Sequence, residues 1–329
     1  MMRLKRSWAA PLAMGGFLAV SAASHATSCT TQAEMSGPDR DALAAMGQRL
    51  GTAVVQLDLA TLQSALLPEV ASQWDGMRQA VEYNAPVVKG GQAQLRSLYA
   101  LDATQLTAAA DTQFFCSSGN GSMTVTITLR QLPAGRYAVV LADAAGAPMA
   151  GQMAFILGFE GGAWKLGGVF IRPGMLEGHD GVWYWDQARQ AVQGGTPWAA
   201  YYLYETARYL SLPVDIIASP NMEKLGQEEA QIPGSPANAF PYNVTAGDRT
   251  WKIDSIRADP SLREPDLGVT YESTGVTDPA AQRTEATAVL SALLKAKPEL
   301  RKSFHGMWAY ASIGGKETPV MELPMGQIP

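Results

Sequence analysis

The sequence has little of the two residue types that most often build metal centres and thiol sites. Its 329 residues include only three histidines and two cysteines. One histidine, His25, lies in a leader-like N-terminal segment. The other two, His179 and His305, are not at the spacing of a His-x-x-x-His ligand pair. The sequence therefore predicts no metal site and no cofactor, although sites built from carboxylates stay open.

The chain also lacks the short motifs of common catalytic and nucleotide-binding sites. It contains no Gly-x-Ser-x-Gly elbow and no Ser-x-x-Lys motif, so nothing in it indicates nucleophilic catalysis. Its glycine-rich stretches fall in predicted hairpin turns, whereas a phosphate-binding loop lies between a strand and a helix. These absences favour a binding protein and leave the question of an enzyme open.

No apolar run is long enough to cross a bilayer, which takes about 20 residues. The N-terminus comes nearest, because Arg3, Lys5 and Arg6 precede about a dozen mostly apolar residues, as in a signal peptide. Ser24 and Ala26 then supply the small side chains that a signal peptidase accepts. This order predicts cleavage after Ala26 and a periplasmic or secreted mature chain without a transmembrane segment.

Positive charge is in the minority, with 25 Lys and Arg against 30 Asp and Glu. Removal of the predicted leader takes away three positive charges and changes the formal net charge from −5 to −8. An acidic chain is a poor ligand for nucleic acid, and no run of basic residues is interleaved with aromatics. We therefore expect no nucleic-acid partner.

The two cysteines, Cys29 and Cys116, allow two readings. In an oxidising compartment they most simply form a disulfide, which would tie the mature N-terminus to a strand. The alternative is a lipoprotein, in which Cys29 carries a lipid anchor and Cys116 stays a free, buried thiol. Only one of the two readings can hold, because each uses the sulfur of Cys29.

Helical periodicity comes first along the chain and strand periodicity follows it. Ser36 is placed to begin a first helix, Asp58 a second and Pro68 a third, which we expect to stop at Asn84-Ala85-Pro86. Every second residue is then apolar in 122–129, the pattern of a half-buried antiparallel strand. Grouped helices followed by grouped strands with short turns predict an α+β fold with a curled meander. Further strands are predicted at about 92–103, 111–117, 136–143, 150–160 and 163–172.

The helix trio, the short strands and the closing hairpin Phe159-Glu160-Gly161-Gly162-Ala163-Trp164-Lys165-Leu166 resemble an NTF2-like (cystatin-like) domain. The resemblance implies a cone with a pocket between helices and sheet, which would suit a small hydrophobic ligand. Arg136 or Asp143 would stand near it at the strand ends, and the alternative is a cone filled by its own side chains. The predicted pocket lining comprises Trp74, Tyr99, Phe155, Trp164 and Phe170.

Two further helices, Val182–Val192 and Pro197–Leu210, are predicted to form a hairpin. The spacing of Tyr184, Ala188, Ala200, Tyr204 and Ala207 resembles a tetratricopeptide (TPR) unit, in which small residues let two helices pack closely. The pair is also rich in aromatics, which indicate either core packing or a peptide- or glycan-binding surface. The aromatics proposed for binding are Trp183, Trp185, Trp198 and Tyr202.

The remaining chain reads as a linker and a small α/β sandwich. Its strand, helix, strand order favours a right-handed crossover, with a helix beginning at Asp278-Pro279. The overall order of elements is similar to that of secreted bacterial proteins of uncharacterised function, a likeness that brings no activity with it. The predicted parts are a signal peptide (1–26), an NTF2-like domain (37–178), a helical hairpin with linker (179–230) and a C-terminal α/β domain (241–329).

Glu177, His179, Asp180 and Asp186 cluster in the sequence where the meander meets the helix pair. A histidine beside carboxylates would suit a general base, whereas the simpler interpretation makes Asp180 the cap of the next helix. The sequence thus favours a non-catalytic protein of the cell envelope that binds a small hydrophobic ligand, a peptide or another envelope protein. The alternatives are an NTF2-like enzyme using a pocket carboxylate or histidine, and a structural envelope component.

Overall fold

The computed structural model describes residues 27–117, 124–260 and 264–329. The predicted signal peptide, residues 1–26, and the predicted turn at 118–121 lie outside these ranges. Within them, no helix is both long and apolar enough to cross a membrane.

Helices and strands alternate in blocks along the described chain, as an α+β fold requires. The helices are α1 (Gly37–Gln56), α2 (Leu59–Ser64), α3 (Trp74–Val88), α4 (Gly181–Gln193), α5 (Pro197–Ser211), α6 (Pro220–Ala230), α7 (Pro279–Ala296) and α8 (Leu300–Ser303). The strands are β1 (Ser28–Thr31), β2 (Gln92–Asp102), β3 (Ala110–Ser117), β4 (Thr124–Leu132), β5 (Arg136–Ala145), β6 (Gln152–Glu160), β7 (Ala163–Arg172), β8 (Met175–Leu176), β9 (His179–Asp180), β10 (Ile217–Ala218), β11 (Tyr242–Ala246), β12 (Arg249–Asp259), β13 (Asp266–Glu272), β14 (Gly306–Ile313) and β15 (Lys316–Pro324).

The first two helices begin where the capping residues predict. The Ser36 and Asp58 side chains accept the backbone N–H groups of Asp39 and Thr61, which satisfies donors that the first turn leaves open. The predicted start of the third at Pro68 is wrong, because Pro68–Gln73 is a 3-10 helix and α3 begins at Trp74. The expected stop of α3 at Asn84-Ala85-Pro86 is wrong, because the helix continues through Pro86 to Val88. Both valines after the proline are buried, and this burial offsets the hydrogen bond that proline cannot donate.

Five antiparallel strands form the first sheet in the order β1-β2-β5-β6-β7. Its two faces are both covered, as β5 shows: Val140 and Ala142 pack with the core under the helices, whereas Val139 and Leu141 pack in a second core. The expected single meander is wrong, because β3 and β4 leave this sheet. With β10 they form a sheet of their own, in the order β10-β4-β3, over the second core.

A disulfide joins Cys29 on β1 to Cys116 on β3, with the two Cα atoms 5.1 Å apart. The bond crosses from the first sheet to the second and closes a sequence separation of 87 residues. The disulfide reading of the cysteines is confirmed. The lipoprotein alternative is wrong for this structure, because the Cys29 sulfur is already bonded.

Helices α4 and α5 form the predicted hairpin, and all five residues at the TPR-like spacing are buried. The last sheet has the order β11-β12-β13-β14-β15, in which only the β13–β14 pair is parallel among the described strands. Helices α7 and α8 lie in the connection between those two strands. Trp198 and Tyr202 of the hairpin belong to the same hydrophobic core as Leu290 of α7, so the predicted division between 179–230 and 241–329 does not separate two cores.

Candidate functional site

A cleft of about 660 Å³ lies where the end of the first sheet meets the helical hairpin and α6. Strands β2, β5 and β6 contribute Arg96, Asp143 and Gln152 to one end of it. The first turns of α4 and α6 and the last turn of α5 form the remaining walls. A concave site between packed elements, with a few polar groups at one end, is where proteins most often bind small molecules.

The walls of the cleft are mainly apolar, and part of that surface is open to water. Val182 at the start of α4 is 62% exposed although it lines a concave surface. Leaving such surface hydrated has a free-energy cost that an apolar ligand would remove. The other apolar side chains of the lining include Met175, Trp185, Leu210, Leu212 and Met222.

Arg96 forms the polar end of the cleft and is held by two partners. Its Nη1 lies 3.2 Å from Asp143 Oδ1 and donates to Gln152 Oε1 at 3.1 Å. The Gln152 side chain is buried, and its Nε2 donates to the Leu210 carbonyl at 2.6 Å. Both contacts of Arg96 use one nitrogen of a guanidinium that carries five N–H donors. The group is thus oriented by buried structure and still reaches the cleft.

Trp185 is fixed in the cleft wall by a carboxylate on α6. Its indole N–H donates to Glu228 Oε2 at 2.7 Å, and the Arg189 guanidinium binds both oxygens of the same carboxylate at 2.8 and 2.9 Å. The hydroxyl of Tyr204 donates to Oε2 at 3.2 Å. The hydrogen bond and charge of Arg189 outweigh the partial burial of Glu228 and lower its pKa to about 2. This ion-paired hub ties α6 to both helices of the hairpin.

Gly181 allows α4 to approach α5 closely at the edge of the cleft. A Cβ atom added there would lie 2.6 Å from Ser211 Oγ and 2.8 Å from the Ala207 carbonyl oxygen. We expect Gly181→Ala to lower the free energy of unfolding by about 1–3 kcal/mol, because backbone must move to relieve the overlap. Chemical denaturation measures this.

Gly226→Ala is the matched control for that substitution. Gly226 lies inside α6, where the nearest atom to an added Cβ is 3.8 Å away. Alanine there should raise the free energy of unfolding by about 0.5–1 kcal/mol through helix propensity. A loss of stability in both variants, or in neither, would contradict the close approach of α4 to α5.

The structure divides the aromatic residues predicted to line an NTF2-like pocket between the two faces of the first sheet. Phe155 and Trp164 are buried in the core under the helices, and Trp74 packs against that core. Tyr99 packs against the core between the sheets, and Phe170 is exposed on the face opposite Phe155. These five residues therefore do not line one pocket.

The aromatics of the hairpin serve two purposes. Trp198 and Tyr202 are core residues, and the Lys297 ammonium lies 4.3 Å from the centre of the Trp198 rings. Trp185 lines the cleft, as described. Trp183 is 38% exposed and stacks on His179, with ring centroids 3.8 Å apart. Half of the predicted binding set is therefore at the surface and half is core.

The acidic residues near His179 in the sequence do not form one site, because each of them has a different contact. Asp180 is the cap of α4, since its Oδ1 accepts the backbone N–H of Trp183 at 2.9 Å. Asp186 pairs with Arg189 one helical turn away. Glu177 lines a smaller cavity of about 270 Å³ together with His305.

A second group of polar residues surrounds His305 at one end of the last sheet. Its Nδ1 lies 2.8 Å from Glu264 Oε2 and 3.1 Å from Asp266 Oδ1, and Asp266 Oδ2 accepts the indole N–H of Trp308 at 3.3 Å. Burial lowers the pKa of His305. The Asp266 hydrogen bond and the charges of Asp266, Glu264 and Glu177 outweigh that effect and raise it. Burial raises the pKa of Asp266.

Sequence reasoning placed Asp143 near a pocket but missed the other polar residues of the cleft and the group around His305. Arg96, Gln152, Asp266 and Glu322 belong to different strands, and no motif spacing connects them. No family model, no curated protein and no solved structure matches this chain.

Proposed function

We propose that this is an exported binding protein that holds a small amphipathic molecule in the cleft between the first sheet, the hairpin and α6. The observation that carries the proposal is an open apolar wall, with Val182 mostly exposed, beside an Arg96 that buried Gln152 orients. A cleft that keeps apolar surface hydrated and ends in a fixed donor suits a ligand with an apolar body and an accepting head group.

The Cys29–Cys116 disulfide supports export, because such bonds persist in oxidising compartments. We propose the periplasm or the extracellular space as the site of action. We also propose the NTF2-like and TPR-like assignments for 37–178 and 179–230. Three helices against an antiparallel sheet and a tightly packed helix pair support them.

We do not propose acid–base catalysis in the cleft, because its two carboxylates are engaged. Asp143 is paired with Arg96, and Asp180 caps α4. A general base has to accept a proton from a bound substrate, and neither group is placed to do so without giving up its partner.

The neutral fluorescent probe N-phenyl-1-naphthylamine tests the apolar wall. We expect saturable binding to the full chain, weakened about fivefold or more by Val182→Gln, since a buried methyl or methylene contact is worth about 1 kcal/mol. Fluorescence titration measures the affinity. Ile313→Gln is the control: Ile313 is 46% exposed at the end of β14, outside the cleft lining, and its replacement should leave the affinity within about twofold.

Displacement of the bound probe by dodecanoate tests the polar end. We expect dodecanoate to displace it, and Arg96→Gln to weaken that competition about tenfold, because a charge-assisted hydrogen bond contributes roughly 1.5–3 kcal/mol. Equal probe affinity in the Val182 and Ile313 variants would contradict the proposed site. Unchanged competition in the Arg96 variant would contradict the head-group contact alone.

A further inference from the structure

Three strands of the last sheet bring a histidine and two carboxylates to one point. Asp266 begins β13, His305 immediately precedes β14, and Glu322 lies on β15. Because β13 and β14 are parallel neighbours and Glu322 pairs with Trp308, these side chains meet at one end of the sheet. One donor atom from each of the three lies within 4.8 Å of the others.

Two of the donor atoms, from His305 and Asp266, already lie at the spacing that one small cation needs. In tetrahedral zinc sites the bonds to nitrogen and oxygen are about 2.0–2.2 Å, which places neighbouring donor atoms about 3.3 Å apart. His305 Nδ1 lies 3.1 Å from Asp266 and 2.8 Å from Glu264. One donor atom from each of Asp266, His305 and Glu322 lies within 4.8 Å of the others, so Glu322 would have to move inwards for one ion to contact all three.

The charges around His305 do not balance by themselves. Glu177, Glu264, Asp266 and Glu322 carry four negative charges when ionised. A protonated His305 and Lys302, which lines the same cavity, leave an excess of two. The Asp266 side chain is only 3% exposed, and its other described partner, the indole of Trp308, is neutral. Uncompensated charge beside a buried carboxylate has a high free-energy cost, which a divalent cation removes.

The adjoining cavity supplies an entrance for an ion. It has a volume of about 270 Å³ and is lined by His305, Pro265 and Glu177 among others. Glu177 comes from the β8–β9 turn, so a carboxylate from a different part of the fold faces the same histidine. The Trp308 N–H orients Asp266 in the manner of an outer-shell hydrogen bond in metal sites.

We infer that Asp266, His305 and Glu322 form a binding site for a divalent first-row transition ion of the zinc type. One imidazole and several carboxylates form a mixed donor set of borderline hardness, which suits Zn²⁺ or Mn²⁺ better than Ca²⁺, an ion that takes six to eight oxygens. The site is separate from the cleft of the proposed function. It would hold β13, the start of β14 and β15 together.

Calorimetric titration of the EDTA-treated full chain with ZnCl₂ tests this inference. We expect one ion per chain and a rise in the melting temperature that CaCl₂ does not produce. Glu322→Gln, at an exposed position, should weaken zinc binding about tenfold or more while the chain stays folded. His305→Gln should abolish the binding seen at the same concentrations.

Glu317→Gln is the matched control, since Glu317 is exposed on the same strand at the far end of the hairpin. It should leave the zinc affinity unchanged. Absence of saturable binding would overturn the inference, and so would binding that survives both site variants. The parent chain could also fail to respond to zinc while His305→Gln loses stability. That result would show that the residues form only an ion-pair cluster, and it would overturn the inference.

Discussion

Replacing Cys29 and Cys116 together by alanine should lower the free energy of unfolding by about 3–5 kcal/mol. The bond closes 87 residues, so its loss returns a large amount of chain entropy to the unfolded state. The half-cystine of Cys116 is also buried between the two sheets. Urea unfolding of the parent and the double variant under non-reducing conditions measures the difference.

Reduction of the parent chain provides the control for this result. Dithiothreitol should lower the stability of the parent by a similar amount and leave the double variant unchanged, because the variant has no disulfide to lose. A difference below about 1 kcal/mol between parent and variant would contradict a disulfide that restrains the unfolded chain.

Replacing Glu228 by glutamine should lower the free energy of unfolding by about 2–3 kcal/mol at pH 7. The carboxylate accepts hydrogen bonds from Trp185, Arg189 and Tyr204, and an amide would leave the guanidinium of Arg189 without its counter-charge. Glu223→Gln, in the exposed first turn of the same helix, is the control and should cost less than about 1 kcal/mol.

The effect of Glu228 should also depend on pH in a defined direction. Its pKa is about 2 in the folded protein and near its ordinary value of 4.5 in the unfolded chain. The ionised form therefore contributes its full stability above about pH 4.5, and the contribution falls as the pH drops towards 2. The stability difference between parent and Glu228→Gln should shrink over that window. A difference that stays constant from pH 7 to pH 3 would contradict the ion-paired hub.

Local signals in the sequence predicted most of the elements. Ser36, Asp58, Asp180 and Asp278 each cap a helix where the sequence placed a start. Strict alternation in 122–129 identified β4, since a half-buried strand repeats its burial every two residues. These signals are local, because a cap or an alternating run acts within a few residues of itself.

Two features could not be predicted from local signals: which strands pair with each other, and whether α3 continues past Pro86. β4 alternates apolar and hydroxylic residues and β5 carries an apolar run, but nothing in their own residues tells which sheet each will join. The continuation of α3 past Pro86 depends on how deeply Val87 and Val88 are buried, which is a property of the assembled core. Both outcomes are determined by tertiary contacts.

The candidate sites could not be predicted either, because they also depend on tertiary contacts. Phe155, Trp198 and Tyr202 were predicted to contact a ligand, but their side chains are buried in the hydrophobic core. The expectation of no metal site rested on the spacing of histidines along the chain. His305 has its carboxylate neighbours from other strands, at sequence separations that no motif records.

The two-residue strand β10 has a consequence for the order of folding. It pairs with β4 through Ile217 and Ala218, about 90 residues further along the chain, and Thr128 donates its N–H to Ile216 beside it. The sheet of β3 and β4 therefore gains its third strand, β10, only after α4 and α5 have formed and returned the chain to β4. Until then its outer edge presents open backbone groups, the kind of template to which another chain can add. During synthesis, this edge of β4 is therefore open to premature association with another chain.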